Sequence, residues 1–437
     1  MKNKKTSTIC AIICEFNPMH TGHLYLINKA KEITNCDYVL GLMSGNFSQR
    51  SEACILDKYT RGKIATENGL DLVLNYPAAF CTNNAEVFAL SAIKILNQTG
   101  VNYLAFGAEF DNEKSFFDLA NFMLNEPTEF KEKLKANLKT GIAYFNAYTK
   151  TIKECSSILN SCDIQNFLNI LTKPNNTLAL EYIKALIKTK SKIKPILIHR
   201  IDNYNEEKET KDFVSANFLR KKIIENSLFL IKKYLPENSL KYFENNQIYQ
   251  NIFDVKKSIS NTKISGITEK EIYEKKFNLP LILKNLILYK IKSMSSQNLK
   301  QIYSVDEGLE YKLKNEASAN NSFDDFYSSL QTKRYKQNKI NSILLNSLLN
   351  IDKKTIEKIY TTKTHIYVKI LSINPKKHEI LSKINTKYLI SRKTDAINLH
   401  FNKFNKKLFE IENNANIVYN LAFKTSLNEN DLYNKMH

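Results

Sequence analysis

The residues best suited to chemistry are His20-Thr21-Gly22-His23. They follow a run of small and β-branched residues from Ser7 to Cys14 and precede a helical pattern that begins Leu24-Tyr25-Leu26. That order predicts a strand, a tight turn and a helix start. The N-terminus of a helix presents free backbone N–H groups and a partial positive charge, a ready site for phosphate. Imidazoles three residues apart lie on one face of the first turn and both reach one polyphosphate. Gly22 lets the backbone approach a ligand where a Cβ would obstruct it. A bare pair of histidines also suits a surface or a metal. The strand before and the helix after favour a nucleoside triphosphate.

Other candidates lie where strands end. In Ser44-Gly45-Asn46-Phe47-Ser48-Gln49-Arg50, small and polar residues suit the lining of a site, Ser44 begins the loop, and Arg50 suits phosphate or carboxylate. Lys58 and Arg61, three apart, either face the same pocket or form a solvated basic helix face. Gly107 either lets adenine or ribose pack on the backbone or simply ends a strand. In Pro174-Asn175-Asn176 the amides read adenine or ribose, or serve the turn before a helix capped by Thr177. Arg200 follows a strand and suits phosphate. Lys333, Arg334, Tyr335, Lys336 and Lys339 interleave cations with an aromatic ring, a pattern that fits RNA as well as a charged helix face.

The elements that must hold these residues alternate. Apolar runs at 7–14, 36–43, 70–76, 101–108 and 194–201 have strand length, and helical patterns at 23–34, 56–68, 84–98 and 177–190 separate them. This predicts an α/β fold of βαβ units, a Rossmann-like parallel sheet with ligands beyond the carboxyl ends of the strands. Residues 111–190 read as a helical insertion. The expected division is a catalytic domain over 1–225 and a mostly helical basic region over 226–437, with a strand-like segment at 365–371.

With 437 residues the chain is long enough for more than one core. No run of about eighteen apolar residues is present, which excludes a membrane-spanning helix. The basic start MKNKKTST leads straight into the first strand and reads as a cytosolic leader. Seven cysteines in apolar contexts, none in a Cys-x-x-Cys pair, read as reduced thiols of a cytoplasmic protein. The net charge of +20 is uneven: residues 1–110 carry ten Lys and Arg against nine Asp and Glu, whereas 331–437 carry twenty against eight. A nearly neutral nucleotide domain joined to a basic region fits a partner with a phosphate backbone. Abundant Lys, Asn and Ile without Trp also matches an AT-rich coding composition, so part of this charge is compositional.

The segment Glu15-Phe16-Asn17-Pro18-Met19-His20-Thr21-Gly22-His23, with Met43–Arg50, Asp57-Lys58, Arg61, Gly69–Pro77, Phe106–Glu109, Lys173–Asn176, His199-Arg200, Thr332–Tyr335 and Asn374–Lys376, resembles the bacterial tRNA(Met) cytidine acetate ligase family of the HxGH nucleotidylyltransferase superfamily. The resemblance covers nearly the whole chain. It implies an ATP-dependent ligase that activates acetate as acetyl-adenylate and acetylates N4 of the wobble cytidine of elongator tRNA(Met). It implies Mg²⁺ with the ATP and no dedicated protein metal site. ATP would lie against Ile13, Cys14, Glu15, Phe16, Asn17, Pro18, Met19, Thr21, Gly22, Leu24, Tyr25, Leu26 and the two histidines, with Gly107, Asn175 and Arg200. The resemblance implies that His20 and His23 stabilise charge as pyrophosphate leaves rather than act as nucleophiles, and Asn17 equally suits a turn former. Val214-Ser215-Ala216-Asn217-Phe218-Leu219-Arg220 resembles the superfamily's second phosphate motif, Ser215 capping the helix and Arg220 trailing it. Lys333, Arg334 and Lys336 would meet the tRNA. The chain departs from the family at Ser215, which lacks the usual Ser-Ser/Thr pairing, at Asp202 in place of Gly, and at Arg50-Ser51-Glu52-Ala53 in place of Arg-Gly-Glu-Pro. An adenylyltransferase acting on a small phosphate-bearing acceptor and a non-catalytic tRNA-binding protein are the competing readings. The sequence does not fix the oligomeric state.

Overall fold

The five apolar runs form five parallel strands: β1 (Ile9–Cys14), β2 (Tyr38–Ser44), β3 (Leu72–Tyr76), β4 (Tyr103–Ala108) and β5 (Lys194–His199). The structure is a computed structural model that describes residues 7–110, 112–142, 144–156, 164–199, 214–224, 228–244, 280–306, 308–331, 335, 337–391, 395 and 401–423. Between the strands run α1 (Thr21–Thr34), α2 (Lys58–Glu67), α3 (Ala78–Cys81), α4 (Ala85–Asn97), the insertion helices α5 (Glu113–Leu124), α6 (Thr128–Lys139), α7 (Tyr144–Glu154) and α8 (Ile164–Thr172), and then α9 (Pro174–Lys188). A short helix, α10 (Ala216–Ile224), follows β5.

Both faces of the sheet are covered, which is why its strands read as continuous apolar runs. Ile9 and Ala11 of β1, with Leu40 and Leu42 of β2, face a core shared with α4 and α9. Cys10, Ile12 and Cys14, with Val39 and Met43, face the opposite core, shared with α1 and α2. The register pairs Cys14 with Met43 and Ser44 with Tyr76. The ends of β1, β2 and β3 therefore align, and the segments that follow them share one edge.

The structure departs from the expected layout in two places. The helix expected at 177–190 begins earlier, with Pro174 in its first turn and Lys173 as N-cap. Proline lacks the N–H that a first-turn position leaves unused, and its fixed φ suits the helix start. The more consequential departure is in the sheet, which among the described residues has seven strands, with β6 (Val368–Ile373) and β7 (Leu389–Ile390) beyond β3, in the order β5-β4-β1-β2-β3-β6-β7. The segment expected as a strand at 365–371 supplies β6, antiparallel to β3, and β7 pairs parallel to β6. The 226–437 region is mostly helical where it is described, including Leu281–Ser293, Gln337–Leu349 and Lys403–Phe423; the apolar residues of these three helices join the α4 core, while Ile231, Tyr234, Leu235, Phe243 and Leu371 join the opposite one. Among the described residues, no helix is long and apolar enough to cross a membrane.

Candidate nucleotide site

The chain leaves β1 through a turn in which Phe16 takes a left-handed φ of +48° and the Asn17–Pro18 bond is cis. His20 then caps α1. Its Nδ1 accepts the N–H of Gly22 at 3.1 Å, and Nδ1 of His23 accepts the N–H of His20 at 3.2 Å. Two imidazoles thus form a reciprocal capping box, satisfying backbone donors that a helix start leaves over. With Nδ1 used as acceptor, each neutral ring carries its proton on Nε2, the donor position a phosphate oxygen requires. The rings are tilted by 32° with centroids 3.7 Å apart, and the Phe16 ring meets His23 edge-on at 4.9 Å. His20 is buried and His23 half-buried.

The loop after β2 is tied to this turn. Gln49 donates its N–H to Glu15 Oε1 at 2.7 Å, and Ile55 donates its N–H to Asn17 Oδ1 at 2.9 Å. Arg220 of α10 donates to the Asn17 carbonyl at 2.9 Å and pairs with Glu52 at 3.5 Å, while Ser215 Oγ accepts the N–H of Phe218 at 3.2 Å and so caps α10. Arg220 therefore ties α10 to both the turn and the β2 loop. Lys58 and Arg61 have a different place from the pocket expected for them. Arg61 is 1% exposed and donates to the carbonyls of Glu15, Ser44, Gly45 and Leu56. Lys58, fully buried, pairs with Glu412 at 2.6 Å. Both cations are consumed internally and hold strand ends together. Arg50 lies half-buried in the same loop.

Several buried polar atoms around this edge have no hydrogen-bond partner among the described residues: Asn17 Nδ2, Thr21 Oγ1, Ser44 Oγ, both amide atoms of Asn75, and Asn176 Nδ2. Orphaned buried donors and acceptors cost about 1–3 kcal/mol each unless a ligand or water meets them, and folded proteins keep few. Their positions at the ends of β1, β2 and β3 and beside β4 make this edge of the sheet the candidate site for a polar ligand. Asn176 belongs to the β4 end because its Oδ1 accepts the N–H of Glu109 at 2.8 Å. Gly107 lies inside β4, paired with Ile198, so it does not end the strand. Asn75 was absent from the candidates, and its signal was present: an amide inside the apolar strand Leu72-Val73-Leu74-Asn75-Tyr76.

Two thiols flank the site. Burial pushes Cys54 up to about 11 and Cys14 higher still, so neither is a thiolate nucleophile near neutral pH. Among the described residues, no three His, Cys, Asp or Glu side chains gather into a metal cage. A separate cavity of about 720 Å³ lies between α7, α8 and α9, lined in part by Lys150, Lys153 and Lys173, away from the histidines. Asn175 sits in the first turn of α9, its side chain outside the described residues; Arg200, Lys333, Arg334 and Lys336 lie outside them altogether. Near the last three, the Lys339 ammonium stands 5.3 Å from the Tyr335 ring centre.

The family described as HIGH Nucleotidyl Transferase matches residues 7–434. A tRNA(Met) cytidine acetate ligase of Thermoanaerobacter sp. (strain X514) is 33% identical over 420 residues, 96% of each chain. One of Clostridium perfringens (strain ATCC 13124) is 34% identical, covering 94% of each. The crystal structure of Thermotoga maritima TmcAL bound with alpha-thio ATP has a TM-score of 0.80 at 26% identity, over 98% of each chain. The apo form of the same protein gives 0.81.

Proposed function

The chain belongs to the HIGH nucleotidyl transferase family and, within it, to the tRNA(Met) cytidine acetate ligases, and on that premise we propose that it uses ATP to acetylate N4 of the wobble cytidine of elongator tRNA(Met) in two steps at one site. In the first, an acetate oxygen attacks the α-phosphorus of ATP, the bond to the bridging oxygen breaks, and acetyl-adenylate and pyrophosphate form. In the second, the exocyclic amine of cytidine attacks the acetyl carbon, AMP leaves with the bonding pair, and the amine loses a proton. That amine's lone pair is delocalised into the ring, so it needs an acyl group as activated as a mixed anhydride. The base must also be turned out of the anticodon loop to reach a site at the sheet edge.

The observation that carries this reading is the reciprocal imidazole capping box at the α1 N-terminus, with orphaned amide and hydroxyl atoms around it. His20 and His23 present Nε2–H donors, and α1 presents its N-terminal dipole, where negative charge develops on the departing pyrophosphate. Mg²⁺ bound with the ATP would supply further charge neutralisation beside His20 and His23. Asn175 and Arg200 complete the nucleotide contacts in this reading, and the reaction belongs to the cytoplasm, where tRNA resides.

The test is mass spectrometry of tRNA nucleosides after incubation with labelled acetate and ATP, expected to give labelled N4-acetylcytidine with AMP and pyrophosphate. ATP and acetate are expected to replace acetyl-CoA. Modification by acetyl-CoA alone at the ATP-driven rate would make the protein an acetyltransferase instead.

The basic region is assigned to the tRNA. Reversing Lys333, Arg334 and Lys336 to Glu is expected to weaken tRNA binding and flatten its salt dependence, each lost phosphate contact lowering the log–log slope by about 0.7–0.9. ATP affinity is expected to change little. An unchanged tRNA affinity and slope would move the RNA surface elsewhere.

A further inference from the structure

The geometry points to the Lys403–Phe423 helix as a positioning element of the nucleotide-binding turn, acting through the loop that follows β2. Glu412, Asn416 and Tyr419 stand four and then three residues apart, on one face of that helix. Glu412 is 2% exposed; one carboxylate oxygen meets Lys58 at 2.6 Å and the other accepts the N–H of Ala78 at 2.8 Å. Asn416 Oδ1 accepts from Asn46 Nδ2 at 3.1 Å, and the Tyr419 hydroxyl donates to the Cys54 carbonyl at 2.8 Å. A Cβ on Gly45 would stand 3.1 Å from Glu412 Oε1, so glycine permits this close approach. The outer face of the helix carries Ile417 and Leu421, both more than half exposed.

The loop residues held by the helix connect to the turn, Cys54 through the adjacent Ile55 and Asn46 through α2. Asn46 Oδ1 accepts the N–H of Lys58 at 2.9 Å, next along from Asp57, which caps α2. Cys54 precedes Ile55, whose N–H is held by Asn17. Arg61 of α2 grips the carbonyls of Glu15 and Gly45 together. An apolar face would bury the helix equally well, but apolar packing is non-directional, whereas buried hydrogen bonds fix a register. The polar stripe therefore sets where the β2 loop lies, and the loop sets Glu15 and Asn17. This inference rests on the reading of the turn as an ATP site.

The experiment titrates ATP into Asn416→Ala and Tyr419→Phe calorimetrically, well below each variant's melting temperature. Tyr419→Phe removes one oxygen and keeps the ring against Phe423 and Phe47. ATP affinity is expected to fall about five- to tenfold in each, the effect of one internal hydrogen bond, while acetate-dependent exchange at saturating ATP stays near the unmodified rate. Ile417→Ala, on the exposed face, is expected to bind ATP as the unmodified protein does. Unchanged ATP affinity in the folded stripe variants, whatever their melting temperatures, would overturn the inference. The titration contains no acetate, so an unmodified protein that binds ATP but exchanges no pyrophosphate counts against the ligase chemistry alone.

Discussion

Replacing either His20 or His23 with alanine is expected to slow acetate-dependent exchange of labelled pyrophosphate into ATP by about 10²–10³-fold, the usual cost of losing one preorganised electrostatic contact. The capping geometry supplies a way to separate chemistry from folding. His20 is also the N-cap of α1, so His20→Ala additionally costs about 0.5–2 kcal/mol of stability. Asparagine accepts the same backbone N–H but places no Nε2 donor at the phosphates. His20→Asn is therefore expected to regain most of the stability and none of the rate. Exchange at the unmodified rate in any of these variants would remove the histidines from the mechanism.

The largest effect on stability is expected at Lys58. Lys58→Met leaves the Glu412 carboxylate buried with only the Ala78 N–H as partner, and breaking a buried ion pair from one side costs about 3–5 kcal/mol. The double change Lys58→Met with Glu412→Leu removes both charges and is expected to recover most of that loss in urea unfolding. A single variant as stable as the unmodified protein would show that the pair contributes nothing to the fold.

Local patterns made much of this legible. The five parallel strands were readable because each is an apolar run bounded by turn residues, and His20 and His23 because a strand-turn-helix order leaves little choice of where they sit. Pairings between distant parts of the chain were not. Lys58 and Arg61 had the right spacing for a ligand, but spacing does not say whether a lysine meets phosphate or a glutamate 354 residues away. The strand near 368 was visible as a strand, yet nothing local says that it runs antiparallel to β3. Asn75 and Asn176 gain meaning only when the fold brings the Asn75 amide and Asn176 Nδ2, which have no partner among the described residues, to the carboxyl edge of the sheet.

That distant strand has a consequence during synthesis. The outer edge of β3 is complete when Tyr76 is made, but its partner begins at Val368, about 300 residues later. At about 5–20 residues per second, a ribosome needs about 15–60 s to deliver it. Through that interval the nascent sheet presents an unpaired apolar edge, the kind of surface that recruits foreign strands. Once β6 docks, the edge of β3 is paired and the outermost strand is β7, only two residues long, so the exposure of β3 belongs to the growing chain and not to the finished protein.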